Sequence, residues 1–511
     1  MFGRPGQGDR YSDLEWGHEL YCFGHLIQAG VARARTGFDD ELVQVAMRAA
    51  DHVCSVFGPD GLVGVCGHPE IEVALAELYR VTGRRQYLDQ ARLFVQRRGR
   101  GLLEPIEFGA QYFQDDVPVR SARVLDGHAV RALYLAAGAV DVAVEDGDEG
   151  LLASVTEQVL TTLSRRTYLT GGMGAHHEGE SFGQDWELPP DRAYSETCAG
   201  VGSVMVNHRL LLATGDVRHA DAIERTLYNV VAASPAQDGR AFFYTNTLQE
   251  RVPGKVPAVD EVSARAASSM RAPWFAVSCC PSNLTRTLAS LAGYLATVDD
   301  SGVQVHQYAD ATVRAAVAGG EIVLRMRTDY PHDGRVEFTI VHGPGADWSL
   351  TLRVPSWAHG ARLIGLDGQV RSVDPGYVSV DVGQDNDGTI VLDLPLTPRW
   401  TWADPRVDAV RGQVAVERGP VVLCLESVDL GVDVASVVID ASTSPVEHDG
   451  QVMVHAISST LVDQPWPYGS DPDQAVISRH DHGLVPLVPY HDWANRGPAT
   501  MRVWLPVAGD C

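Results

Sequence analysis

The sequence predicts a multidomain protein, a helical N-terminal part followed by β-rich domains, and three observations carry that prediction. With 511 residues, the chain exceeds the roughly 250 to 300 residues at which a single core stops growing. Up to about residue 296, apolar residues recur at helical spacing, as Ile71, Leu75, Leu78 and Tyr79 do before a stop at Gly83. Beyond residue 300 the period falls to two in VQVHQYA, EIVLRMRTDY, VEFTIVH, WSLTLRVPSW and GTIVLDLPL, with Gly, Asp, Asn and Pro between them.

Within the helical part, LYRVTGRRQYLDQA (78–91) and LLATGDVRHADAIERTLYN (211–229) read as helix-TG-helix units, with a degenerate third near LYLAAGAVDVAV (133–143). Helical hairpins that cannot bury their faces alone suggest an α/α toroid. Short alternating strands suggest β-sandwiches. GQVAVERGPVVLCLE (412–426) and TMRVWLPV (500–507) continue the strand pattern, and the Pro-rich 464–498 stretch reads as an excursion between them. The expected division is 1–295 helical, 296–420 a β-sandwich, and 421–511 a second β-rich lobe whose last strand returns to the first sandwich.

Composition narrows the function classes. Hydrophobic residues at 45% and charged residues at 21% describe an ordinary globular chain. A formal charge of -25 repels phosphate backbones and anionic lipid, so neither nucleic acid nor a membrane surface is an expected partner. Lys255 is the sole lysine, and its Gly/Pro-flanked setting offers no Schiff-base pocket. The N-terminus shows no apolar leader and no stretch approaches about 18 uninterrupted apolar residues, so the expectation is a cytoplasmic protein. Eight irregularly spaced cysteines read as reduced thiols available as metal ligands or nucleophiles.

Two segments concentrate the chemistry. YLTGGMGAHHEGESFGQDWELPPDRAYSETCAGVGSVMVN (168–207) opens with a Gly-rich loop, and Ser195 and Glu196 precede an apolar helical run. APWFAVSCCPSNLTR (272–286) sets adjacent cysteines before Pro281 and Ser282, the expected start of a helix beginning near Leu284. Glu196, Cys198, Cys279 and Cys280 have the count and donor types of a tetrahedral zinc site. Spacing alone equally allows Cys198 and Cys279 to be buried small hydrophobes, because metal motifs usually separate paired cysteines by two to four residues.

YSETCAG, SCCPSNLTR, GGMG followed by GESF and WELP, the upstream GHELYCFGHLIQAG and GHAVRALYLAAG, and the downstream LRVPSW and VERGPVVLCLE together resemble glycoside hydrolase family 127, the β-L-arabinofuranosidase family. The match runs in order over nearly the whole chain. The resemblance implies an (α/α)6 helical barrel followed by β-sandwich domains, and a Zn2+ site in which one cysteine is also the nucleophile. It implies Glu196, Cys198, Cys279 and Cys280 as ligands, Cys279 as nucleophile, and Glu180 of GESF as general acid/base. His25, His68, His128, Glu224 and Tyr244 would line the sugar pocket, although His18 shares a motif with His25. Roughly nine helices read before residue 296, where a closed six-hairpin toroid needs twelve. The barrel is therefore expected to be incomplete, with an upstream segment or a homo-oligomeric partner supplying the rest.

A retaining glycosidase needs a nucleophile at the anomeric carbon and an acid at the leaving oxygen, usually two carboxylates about 5 to 5.5 Å apart. The resemblance implies a thiolate in place of one of them. Gly179–Gly183 formally matches a G-x-S-x-G elbow around Ser181, but that motif requires a strand-turn-helix setting in a parallel sheet. His176 and His177 read as solvated or sugar-facing, and Trp186, Trp274 and Trp357 as packing residues. The leading expectation is a zinc-thiolate enzyme acting on small oligosaccharides that carry a terminal L-arabinofuranosyl or related sugar. Two alternatives stand beside it, a non-catalytic carbohydrate-binding protein with structural zinc, and a sugar epimerase or isomerase using His68 and His128 as acid and base.

Overall fold

The computed structural model describes residues 8–254, 270–317, 319–384, 388–471 and 474–508. Lys255 lies outside the described residues. The chain divides into two compact units, the first comprising residues up to Tyr168 with Gly172–Leu188 and Tyr194–Gly215, the second Leu169–Gly171, Pro189–Ala193 and the chain from Asp216.

The first unit is helical: α1 (Glu19–Arg35), α2 (Glu41–Phe57), α3 (Ile71–Thr82), α4 (Arg85–Arg97), α5 (Ala129–Asp146), α6 (Glu149–Arg165) and α7 (Thr197–Thr214). The helices pack on neighbours in the chain and on the next but one, α1 on α2 and α3, α3 on α4 and α5, α5 on α6 and α7. Amphipathic α2 and α4 bury one stripe, whereas α5 is buried continuously from Ala129 to Ala143, as an apolar helix at the centre of a layer must be. Gly83 follows α3 with φ 67°, the left-handed stop that glycine supplies without strain. The hairpin read at 78–91 is present. The degenerate one at 133–143 is absent, because α5 runs through it unbroken. Gly138 is a close-approach residue: a Cβ there would lie 2.7 Å from Glu72 Cβ on α3.

The second unit begins with α8 (Val217–Thr226) and includes α9 (Cys279–Ser290). From Ala296 the chain is many-stranded. A six-stranded sheet runs in the order Val370–Val373, Ala361–Ile364, Gly388–Asp393, Arg335–His342, Gly320–Thr328, Ala311–Val317, and a four-stranded sheet in the order Gly376–Val382, Trp348–Val354, Gly302–Val305, Ala296–Asp299. Inward residues of both sheets, among them Val303, Leu324, Phe338, Leu350 and Leu392, share one core cluster. A further sheet follows, with its own core around Val416, Leu425, Val454 and Leu487.

Two expectations change here. Strands Gln413–Arg418 and Val421–Glu426 form one hairpin, with Arg418 opposite Val421, so a boundary at 420 would cut a two-residue turn. The 464–498 stretch is no simple excursion, since Val476–Pro489 is a strand paired along Gln451–Leu461.

Candidate active site

In the first unit, a folded-back loop brings Glu180 to the start of α5. His176 N–H donates to the Ser181 carbonyl and Ser181 N–H to that of His176, while Phe182 N–H donates to the Gly127 carbonyl. Glu180 sits at the tip of this small hairpin with φ 49°, a left-handed conformation that glutamate seldom adopts and that functional sites concentrate. His128 precedes the first residue of α5. Its Nε2 lies 3.1 Å from Glu180 Oε2, and its Nδ1 is buried without a partner among the described residues. Burial pulls the His128 pKa below its ordinary value, against the hydrogen bond to Glu180, which raises it. Glu196 immediately precedes α7 and is buried, as is Cys198. One polar side-chain atom from each of His128, Glu180 and Glu196 falls within 4.8 Å of the other two.

Beside this trio lies a wall of rings. His18 precedes α1 with φ 55°. Its ring centroid is 5.8 Å from that of His68, which in turn is 4.4 Å from Tyr21, 5.7 Å from Tyr134 and 6.0 Å from His128. His25 stands one turn further along α1, its ring 4.5 Å from Tyr21 and its Nδ1 3.4 Å from Glu70 Oε1. The structure thus brings His18, His25, His68 and His128 together. Sequence reasoning passed over Tyr21, Arg131 and Tyr134, although each lies inside a motif already singled out.

In the second unit, Cys279 and Cys280 are the first two residues of α9, five positions earlier than the start expected near Leu284. Their Sγ atoms are 3.8 Å apart, with Cys280 buried and Cys279 partly exposed. A helix N-terminus offers backbone N–H groups that favour negative charge. The first unit contributes the buried Glu196 and Cys198 and the second Cys279 and Cys280, one carboxylate and three thiols, donor types that could bind a metal ion.

Glu224, expected in the sugar pocket, has its carboxylate engaged by other side chains of the second unit. It is 2% exposed and both carboxylate oxygens are engaged: Oε1 accepts from Tyr330 O–H at 2.6 Å and from Arg353, and Oε2 accepts from Trp357 Nε1–H at 3.0 Å. A motif could not reveal this, because Arg353 stands 129 positions away. Tyr244 is buried in the second unit, in the stretch after strand Ala241–Phe242. Ser181 donates its hydroxyl to the Glu178 carbonyl in a loop bordered by a short turn, not in a strand-turn-helix elbow. His176 is exposed and pairs with Glu187 at 2.8 Å.

Three family models cover the chain in order. The model described as β-L-arabinofuranosidase, GH127 catalytic domain, matches residues 4–293, the GH127 middle domain 302–396, and the glycoside hydrolase family 127 C-terminal domain 398–506. A non-reducing end β-L-arabinofuranosidase of Bifidobacterium longum subsp. longum is 33% identical over 97% of this chain and 79% of its own length. The crystal structure of Ara127N-Se, a GH127 β-L-arabinofuranosidase from Geobacillus stearothermophilus T6, superposes with a TM-score of 0.87 at 32% identity, over 98% of this chain and 82% of that one. A second solved GH127 β-arabinofuranosidase gives 0.84 at 32% identity, over 98% and 78%. With the catalytic-domain model spanning more than half of it and relatives aligned end to end, the chain belongs to glycoside hydrolase family 127 and is a glycosidase.

Proposed function

We propose that this chain is a retaining β-L-arabinofuranosidase that releases non-reducing-end arabinofuranosyl residues from small glycosides, with Cys279 as nucleophile and Glu180 as acid/base. The observation that carries the reading is the donor set, with the Cys279 and Cys280 Sγ atoms 3.8 Å apart at the start of α9 in the second unit and the buried Glu196 and Cys198 at the start of α7 in the first. Three thiols and one carboxylate suit a tetrahedral zinc ion better than hard, oxygen-seeking cations, so the residues fit the metal. When bound, zinc would supply a thiol held deprotonated at neutral pH. The paired helical hairpins support an (α/α)6-type barrel, and the core shared by two sheets supports a β-sandwich.

In this reading Glu180 protonates the glycosidic oxygen while Cys279 Sγ bonds to the anomeric carbon and the aglycone leaves. Glu180, now a carboxylate, takes a proton from water, which displaces Cys279 from the same carbon. Two displacements retain configuration. His128 supports this cycle by holding Glu180 Oε2 at 3.1 Å. His25, His68 and His128 offer ring nitrogens to sugar hydroxyls.

The test is nitrophenol release from a nitrophenyl β-L-arabinofuranoside by zinc-loaded protein, beside Cys279→Ala and Glu180→Gln. Loss of turnover by about 10³-fold or more in the cysteine variant is expected. Unchanged hydrolysis by Cys279→Ala would remove that residue from the mechanism. Metal analysis provides a second readout, one zinc per wild-type chain and a clear loss in Cys198→Ala.

A further inference from the structure

An acid that protonates the glycosidic oxygen has the leaving group on its own side of the scissile bond. In the reading above that acid is Glu180, whose side chain keeps 16% exposure. The rings bordering its hairpin are Phe108 and Tyr112, from the stretch between α4 and α5. A Cβ added at Gly179, the residue before Glu180, would lie 3.4 Å from Phe108 Cγ and 3.5 Å from Tyr112 Cδ2. Phe108 and Tyr112 are stacked, with ring centroids 5.5 Å apart and planes inclined by 29°. Tyr112 in turn meets His128, the partner of Glu180, edge to face at 5.5 Å.

Backbone contacts hold this stack against the acid. His128 N–H donates to the Tyr112 carbonyl at 3.3 Å, and Phe182 N–H to the Gly127 carbonyl at 3.0 Å, so the Phe108–Tyr112 stretch, the start of α5 and the Glu180 hairpin form one hydrogen-bonded assembly. Gly127 is the point of closest approach: a Cβ there would lie 1.9 Å from the Gln111 carbonyl oxygen. The two rings differ in burial. Tyr112 is 7% exposed and packed among Trp16, Phe113 and Arg131, whereas Phe108 is only half-buried and keeps ring surface open beside the acid. Glu107 and Glu178, the sequence neighbours of Phe108 and Gly179, are exposed, and carboxylates accept from hydroxyl groups while repelling anions.

We propose that Phe108 is a specificity-determining residue, the ring on which a neutral sugar leaving group lays its C–H face while Glu180 protonates the glycosidic oxygen. Apolar contact with the flat face of the ring supplies the preference, and a leaving group too small to reach that face gains nothing from it. The proposal rests on the arabinofuranosidase reading, with Glu180 as its acid.

The test compares kcat/KM of the zinc-loaded whole chain on two substrates, a β-L-arabinofuranosyl disaccharide and methyl β-L-arabinofuranoside. Both leaving groups are alcohols that need the proton, and kcat/KM covers only the steps up to departure of the leaving group, so the ratio of the two isolates its binding. In Phe108→Ala the disaccharide-to-methyl ratio falls about tenfold, with the methyl glycoside within about twofold of wild type. Phe108→Tyr, which keeps the flat ring, holds the wild-type ratio. Should the alanine variant not fold, Phe108→Leu keeps the apolar bulk without the flat face and shows the same fall. Equal losses on both substrates mean that the ring only supports the Glu180 hairpin, and overturn the proposal. A wild type that cleaves neither glycoside overturns the arabinofuranosidase reading and the subsite with it, whereas wild-type turnover at a ratio indifferent to Phe108 overturns the subsite alone.

Discussion

Arg131 in the first unit and Arg353 in the second are both buried, and they are solved in opposite ways. Arg353, 0% exposed, is answered at every nitrogen: Nε donates to the His306 carbonyl, Nη1 to Asp221 at 2.6 Å, and Nη2 to Glu224. Burial pulls its pKa down, yet Glu224 and Asp221 hold it well above the ordinary value. For Arg131 burial pulls in the same direction and no carboxylate within bonding distance opposes it, so its pKa stays below the ordinary value. A cation whose donors are all taken ties elements together, here α8 to strand Trp348–Val354. A cation held only among the rings of Trp16, Tyr112 and Phe113 ties no charged pair together.

The sharpest break of this comparison is in stability. Arg353→Met strands the buried Glu224 and the half-buried Asp221 and should cost about 3 to 5 kcal/mol, read as a fall in the denaturant midpoint. Arg131→Met strands no partner and should cost about 1 to 2 kcal/mol, the scale of desolvated cation–π contacts. Equal losses in the two variants would mean that Arg131 has a partner of similar weight. Next in size, Glu224→Gln should cost about 2 kcal/mol through its charged hydrogen bonds, while kcat/KM per folded molecule falls less than about threefold. His68→Gln should show the reverse, little loss of stability and a rise in KM of about tenfold, the worth of one good hydrogen bond. A Glu224→Gln variant that is stable and inactive would return that carboxylate to the sugar pocket.

The helices and most strands were legible because burial imposes a period, and Ile71, Leu75 and Leu78 or Val336, Phe338 and Ile340 declare theirs. Two segments were not. Gly138 reads as a helix breaker until α3 is seen against it, and ISRHDHG in strand Val476–Pro489 is exposed along most of its length, so no alternation marks it. At the candidate site, motif resemblance singled out the metal-type residues and Glu180, because it preserves identity and order. What resemblance could not convey was contact. Tyr21, Arg131 and Tyr134 stood inside quoted motifs, but a ring-to-ring or cation-to-ring distance exists only after folding. The hydrogen bonds of Glu224 were illegible for the same reason, its partners Tyr330, Arg353 and Trp357 standing more than a hundred residues downstream.

A third arginine sets the low end of the scale. Arg120 pairs with Asp148 as Arg353 does with its carboxylates, but at the surface, where solvent and salt screen the charge. Asp148 also caps α6, accepting from Leu151 N–H at 3.0 Å. The Arg120 hydrogen bond, and then that of Leu151, hold its pKa down to about 2. Because the folded value is depressed, the contribution to stability is complete above the unfolded pKa of about 3.9 and is lost as pH falls through about 2. Asp148→Asn keeps the cap and removes the charge, so it should cost below about 1 kcal/mol at neutral pH. Asp148→Ala should lose about 1 kcal/mol more with the cap. Denaturant unfolding from pH 7 to pH 2 checks the sign: the gap between wild type and Asp148→Asn closes as the pH falls, while the Ala-to-Asn gap persists. A gap of several kcal/mol at neutral pH would place this pair with Arg353, and would mean that charge pairing, not enclosure, distinguishes the two buried arginines.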